Sequence, residues 1–455
     1  MGFALTLALD RNYNASISDL KFLEELAMSI SKKGPLPVAK PEEMGLSSKG
    51  LARIGPAMQK YIDRKMVPNV TTLVAREGKI VHYEARGYMD LKGHKPIARD
   101  TIYRLYSNSK PIAGLAILIL YEDGLLTLDD PVSMYIPAFK NQMVVNPAAG
   151  LGRNEPPGTV PLVPTKREIT IRDCLRNTTG LATPQRTPYA IARLYQKYVN
   201  KSGWNLDANL YITPKNSFRE RIEAHARIPL SFQPGTDFEY HVGYPAIGVI
   251  IEEITGRTLE EFYQERIFKP LHMEDTSFYL NEECLDRFPT CYRSELKDGS
   301  WNNAVLDKPE SSEKLKGPKV FFAAGGDMGG ILSTAGDYAR FAQLLLNNGE
   351  LDGVRLLGRK SVELMTANHT KDILTISGPG FGFGLGVGVY KGGSPLPIMR
   401  SIGTFGWSGA AGTTFFADPK EKLLAICFTQ VINHMVIPGN SIHEEFEKLV
   451  YQSLL

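Results

Sequence analysis

The stretch Thr101-Ile102-Tyr103-Arg104-Leu105-Tyr106-Ser107-Asn108-Ser109-Lys110-Pro111 runs directly into the apolar segment Ile112 to Leu120. The residues before Ser107 are a short apolar approach, and those after Pro111 predict a helix apolar enough to require burial. Ser107 stands at the junction, where a helix start exposes unpaired N–H groups and the positive end of its dipole. A spacing of three puts Ser107 and Lys110 on one face, within reach of each other. Pro111 fits there, because a first helical turn does not need its N–H. A serine hydroxyl becomes a useful nucleophile only when a base takes its proton. Lysine, with an ordinary pKa of ~10.4, can serve if burial lowers that value by a few units. Otherwise Ser107 would be a simple helix cap and Lys110 a solvated charge.

The string S-x-x-K is weak alone. It also occurs at Ser18/Lys21, Ser29/Lys32, Ser294/Lys297 and Ser311/Lys314. Ser294 and Ser311 read as members of polar, charged loops with no apolar helix behind them. Only Ser107 has the context its chemistry needs.

Two further segments carry functional side chains. Pro234-Gly235-Thr236-Asp237-Phe238-Glu239-Tyr240 reads as a turn leading to an exposed tyrosine, and Tyr244-Pro245 then opens an apolar helix, Ala246–Thr255, closed by Gly256. Tyr240 is thus well placed for a working phenol, or alternatively for packing beneath the loop. Tyr198-Val199-Asn200 offers another Y-x-N string, but inside the helical pattern Ala190–Lys201. Gly403 to Thr413 is a glycine-rich approach to a strand, where small residues let a substrate carbonyl come close to backbone N–H groups. A plain turn or bulge would use glycine as well.

The periodicities outside these segments predict the frame. A short amphipathic helix is expected around Leu20 to Ile30, then a break at Lys32-Lys33-Gly34-Pro35. Leu51, Ile54, Met58 and Tyr61 recur at helical spacing behind Ser47 and Ser48. A hairpin follows, Val70–Ala75 and Ile80–Gly87 around Glu77-Gly78. Near the far end, Thr413–Ala417 and Leu423–Thr429 read as strands, and Ser441-x-x-Glu444 as a capping box opening a last helix. The expected fold class is α/β (α+β), an antiparallel or mixed sheet flanked by helices with a mostly helical domain inserted. Residues 1–40 are read as an extension, 41–106 and 321–455 as one discontinuous sheet-and-helix domain, and 107–320 as the insertion.

Bulk properties narrow the function. The 455 residues are 43% apolar and 22% charged, with a formal net charge of +3 and no dense basic run. That is an ordinary globular composition with no electrostatic case for nucleic acid. The longest apolar run is too short to span a membrane. The N-terminus lacks a secretory pattern, although Gly2 and Thr6 fit the loose myristoylation string, so the cytoplasm is the expected location. Cys174, Cys284, Cys291 and Cys427 read as free thiols, with a Cys284–Cys291 bridge left open. None of the eight histidines forms HxH or HExxH, and His443 to Glu447 only approaches the latter. No metal and no cofactor is called for, and the sequence carries no signal for an oligomeric state.

Several ordered segments together resemble the β-lactamase-like serine hydrolases, a family that includes class C β-lactamases, family VIII carboxylesterases, D,D-peptidases and the lovastatin acyltransferase type. The resemblance runs from about Pro41 to the C-terminus. It rests on Tyr103 to Pro111, Ile169 to Asp173 with Thr179-Gly180-Leu181, Pro234 to Tyr244, Gly329 to Ala335, and Phe405 to Pro419. It implies a β-lactamase/penicillin-binding-protein-like fold, with Ser107 as nucleophile, Lys110 as base or its partner, and Tyr240 as proton relay. It further implies an oxyanion hole from the N–H groups of Ser107 and Ala410, with Trp407 and Gly409 beside the substrate.

Two departures bear on substrate. Val242 stands where the lactamases have an Asn that binds the acyl amide. Trp407-Ser408-Gly409 replaces Lys-Thr-Gly, as in family VIII esterases, exchanging a cation for an apolar ring. The expected activity is that of a serine carboxylesterase acting on short to medium acyl esters, with a small-molecule ester as partner. A β-lactamase or D,D-peptidase, an acyltransferase, and a non-catalytic binding protein are the rivals. Residues 140–165 and 185–230, with Tyr189, Tyr195, Tyr198 and Trp204, are expected to shape the pockets, and His241 either to line them or to pack.

Overall fold

The computed structural model describes residues 34–455 except 94, 147–159, 183–217, 241, 313–314, 316–329 and 396. The readings placed on Gly2, Thr6, Leu20–Ile30, Tyr189, Tyr195, Tyr198, Trp204 and His241 lie outside the described residues. Leu36 to Leu455 form one compact unit, which includes the described part of 107–320. The chain joins it at Leu36, which lies in the core, and the Ile80 amide donates to the Pro37 carbonyl at 2.7 Å.

In chain order the elements that position the site are α1 (Ile54–Asp63), β1 (Asn69–Arg76), β2 (Lys79–Gly87), β3 (Tyr103–Arg104), α2 (Ser109–Glu122) and α3 (Ile171–Leu175). Then come α4 (Tyr244–Thr255), β4 (Cys291–Lys297), β5 (Ser300–Asp307), β6 (Leu332–Ser333) and α5 (Ala335–Leu346). The last are β7 (Phe381–Phe383), β8 (Gly388–Tyr390), β9 (Phe405–Gly409), β10 (Thr413–Asp418), β11 (Leu423–Phe428), β12 (Val431–Ile432) and α6 (Ile442–Tyr451).

Seven strands form one antiparallel sheet in the order β7-β8-β9-β10-β11-β1-β2, so the early hairpin completes a sheet built mainly from the last hundred residues. Strand β11 shows why it is a sandwich. Leu424, Ile426 and Phe428 face a core shared with α2 and α5, while Leu423, Ala425 and Cys427 face α1 and α6. A strict period of two thus serves two layers. Each of its large apolar side chains contributes roughly 1.5–3 kcal/mol by leaving water.

Three local readings, on the glycine-rich stretch, Ser294 and Ser441, are corrected. The glycine-rich stretch before β10 is itself strand β9, paired on both sides. The region 107–320, expected to be mostly helical, also holds the β4–β5 hairpin, against which β12 pairs in parallel. Ser294 lies in β4 rather than in a loop. The capping box at Ser441 does not form: its side chain makes no cap bond to α6, and its hydroxyl instead lies 3.3 Å from that of Tyr61. All four cysteines are free thiols.

Candidate active site

From Thr101 to Leu120 every residue is buried except Ser107. It sits in a single 3-10 turn, Tyr106–Asn108, that leads into α2. An all-round apolar helix can only be an interior element, and this one carries Lys110 with it at 0% exposure. The Lys110 ammonium donates to the Ser107 Oγ at 3.0 Å. Its Nζ also lies 4.8 Å from the ring centre of Tyr240 and 5.1 Å from that of Tyr244. Two aromatic faces therefore hold the cation end.

The residue before the nucleophile is strained. Tyr106 has a φ of 49°, a left-handed conformation that costs a side-chain-bearing residue about 1–2 kcal/mol. Neighbouring contacts impose it. The Leu105 amide donates to Ile331 at 2.9 Å, and the Leu105 carbonyl accepts the Thr413 hydroxyl at 2.8 Å. The Tyr106 ring packs with Cys291, Ala411 and Ile432. One step earlier, the buried Arg104 guanidinium donates to Asp307, the Pro289 carbonyl and Gln430, and stacks 3.7 Å over Phe288.

Tyr240 arrives on a separate arm. The Gly235 and Glu239 amides donate to the Thr178 and Asn177 carbonyls, which fastens the 235–239 loop to the end of α3. Asp173, fully buried, is paired with Arg167 and Arg176 and closes the Thr170 capping box that starts α3. These charged hydrogen bonds hold its carboxyl below the usual range despite burial. Gly243 then passes so close to Cys174 that a β-carbon would come within 2.6 Å of its Cα. Tyr240 is half-buried rather than exposed. Its hydroxyl accepts the indole N–H of Trp407 at 2.7 Å and is hydrogen-bonded to Ser107. Burial pushes the phenol pKa up, and those two bonds hold it back.

The third wall is the end of β9. Trp407 packs edge-on against Phe383 at 4.8 Å between ring centres, and lies over Gly388, where a β-carbon would meet the indole at 2.8 Å. Gly409 is buried against the Leu105 carbonyl, so its missing side chain is first a packing requirement. Ala410 follows, exposed, in the turn between β9 and β10. Neither its amide nor that of Ser107 donates to any described residue.

The structure thus brings together Ser107, Lys110, Tyr240 and Trp407, with Gly409 and Ala410 on the adjoining turn. It does not do so for Ser294 and Lys297, the other S-x-x-K string whose two residues are both described. In β4 a spacing of three sends side chains to opposite faces, and the Ser294 hydroxyl is spent on Asn303. Sequence reasoning missed the strained Tyr106, the Arg104 cluster and Tyr244 as a second ring at Lys110. A Tyr-x-x-x-Tyr spacing into a helix start was the available signal for the last. Among the described residues no three His, Cys, Asp or Glu side chains converge as a metal site, and no helix is long and apolar enough to cross a membrane.

With this geometry in view, the match of residues 56–433 to the beta-lactamase family settles the class: the chain belongs to that family of serine hydrolases and acyltransferases. It is 31% identical over 385 residues to an uncharacterized protein of Mycobacterium tuberculosis, covering 82% of this chain and 88% of the other. A Salmonella typhimurium protein provisionally named a D-alanyl-D-alanine carboxypeptidase is 29% identical over 433 residues, covering 90% of this chain and 86% of the other. Among solved structures, EstCE1, described as a hydrolase with promiscuous acyltransferase activity, superposes with a TM-score of 0.69 at 24% identity, covering 89% of this chain and 99% of that one. Simvastatin synthase from Aspergillus terreus gives 0.70 at 20% identity, covering 89% and 98%. At these identities the two structures are evidence of fold.

Proposed function

We propose that the protein is a serine carboxylesterase that cleaves short to medium acyl esters through an acyl-enzyme on Ser107. The observation that carries this is the Lys110 Nζ to Ser107 Oγ distance of 3.0 Å on a buried helix, with the Tyr240 hydroxyl on the same oxygen. In this reading Ser107 Oγ attacks the ester carbonyl and its proton passes to the Lys110–Tyr240 pair. The pair returns that proton to the departing alkoxide as the acyl C–O bond breaks, and water, deprotonated by the same pair, releases the acid. The two groups share one proton, so their titration is joint. The amides of Ser107 and Ala410 would receive the carbonyl oxygen as it gains charge.

The uncharged indole of Trp407, in place of a cation, supports a neutral ester over a carboxylate-bearing peptide or lactam. The rival readings draw on relatives: the Salmonella protein's name favours a D,D-peptidase, and the EstCE1 description favours acyl transfer to an alcohol. A nitrophenyl ester chain-length panel, run beside a chromogenic cephalosporin and with added alcohol, separates the three. The Ser107→Ala protein should lose ester turnover and fluorophosphonate labelling together. Retained turnover in that variant would overturn the assignment.

A further inference from the structure

The indole of Trp407 is half-exposed, yet its N–H is not turned to water. It donates inward, across 2.7 Å, to a hydroxyl carried by another element 167 residues away. Three features aim it there. The β9 backbone is held by pairing of Trp407 with Phe415, the ring edge is set by Phe383, and Gly388 leaves the space beneath the ring. A tryptophan that served only as an apolar wall would need none of this alignment.

From this we infer that Trp407 is a positioning residue for proton transfer, a neutral donor that fixes the Tyr240 hydroxyl and biases it toward giving up its proton. The inference rests on the esterase reading and deepens it. An indole N–H donates and never accepts, so it must take one lone pair of the Tyr240 oxygen. The phenolic proton and the remaining lone pair are thereby left for the Ser107 and Lys110 side. A donor at that oxygen also favours the phenolate, against the burial that opposes it. Being neutral, it does so less than a cation would. Trp407 therefore sets both the direction of the relay and the pH at which it runs, without touching the scissile bond.

The test measures the pH dependence of ester hydrolysis and of fluorophosphonate labelling in wild type, Trp407→Phe and Trp407→Lys. The phenylalanine variant keeps the ring against Phe383 and loses only the N–H. Its alkaline-rising limb should move up by about one pH unit, with kcat at neutral pH falling about tenfold and KM within about twofold. The lysine variant supplies a cationic donor and should move the limb down. Limbs that coincide with wild type in both variants, with the change confined to KM, would make Trp407 a pocket wall and overturn the inference. Should Trp407→Phe fail to fold, Trp407→His and Trp407→Lys carry the comparison. Absence of labelling in the wild-type protein would instead count against the esterase reading itself.

Discussion

Gly409 lies so close to Leu105 that a β-carbon at 409 would stand 2.1 Å from the Leu105 carbonyl oxygen. The same carbonyl accepts the Thr413 hydroxyl, so the β9–β10 turn and the nucleophile's approach are clasped through one atom. Gly409→Ala cannot be absorbed by a side-chain shift, because the obstacle is backbone. It should cost about 1–3 kcal/mol of stability and slow hydrolysis by 100-fold or more through displacement of Ala410. Thermal melting and kcat, read together, check this. Near-normal kcat at normal stability would mean that the turn does not set the oxyanion site.

Lys110 donates to the Ser107 hydroxyl and lies against the rings of Tyr240 and Tyr244. Lys110→Met should reduce kcat by 10²–10⁴-fold, the usual reach of a lost acid–base group. Tyr244 tests the rings separately, since its hydroxyl is spent on the Leu175 carbonyl at 2.7 Å. Tyr244→Phe keeps the face over the ammonium and should retain most activity, whereas Tyr244→Leu should lose about 3- to 30-fold. Equal activity in the two variants would remove the ring from the account.

Behind the Ala410 turn lies a histidine pair. His443 donates to the Gly412 carbonyl at 3.0 Å, and its ring centre is 4.9 Å from that of His434. Burial pushes His443 down to about 4, against the bond to the Gly412 carbonyl and the charge of Glu447, and pushes His434 to about 3, with His443 adding to the effect. The unfolded chain therefore binds protons below about pH 6.5 that the folded protein refuses. Stability should fall as pH drops from about 6.5 toward 4, by on the order of 3 kcal/mol through His443. Denaturant melts across that range should show the loss, and His443→Gln should reduce its slope, leaving the part that His434 contributes.

Asp337 has the opposite sign. Burial and the nearby Asp275 raise its carboxyl to about 7, against the bonds it accepts from the Thr276 hydroxyl and the Asp275 amide. The folded state holds a proton that the unfolded chain gives up above about pH 4. Its contribution is full below that point and is lost as pH rises through about 7. Asp337→Asn keeps an acceptor for both donors, so it should raise the melting temperature by a few degrees at pH 8 and by clearly less at pH 5. A gain of equal size at both pH values would point to a cause other than titration.

The parts of this site that were legible in the sequence are those governed by local spacing. Ser107 and Lys110 are three residues apart on a helix whose apolar run announces its burial, and β11 displays its alternation openly. The parts that were not legible depend on partners distant in the chain. Phe405 to Gly409 reads as an approach to a strand rather than a strand itself because its glycines answer the Phe415 and Leu105 carbonyls, which only the folded sheet brings near. Ser441 had the right neighbour for a cap, but Tyr61, 380 residues away, took its hydroxyl. The bond from Trp407 to Tyr240 left no local mark at either residue, so Trp407 could be read as a substrate contact but not as the partner of a phenol.

The sheet order carries a consequence for biosynthesis. Thr71 in β1 pairs with Phe428 in β11, so the first hairpin waits for a neighbour about 350 residues downstream. At ribosomal rates of roughly 5–20 residues per second, that is a delay of about 20–70 s. During that interval one edge of β1 has no partner. Closure of the sheet is therefore a late, long-range event, and it is the C-terminal strands that seal the N-terminal hairpin.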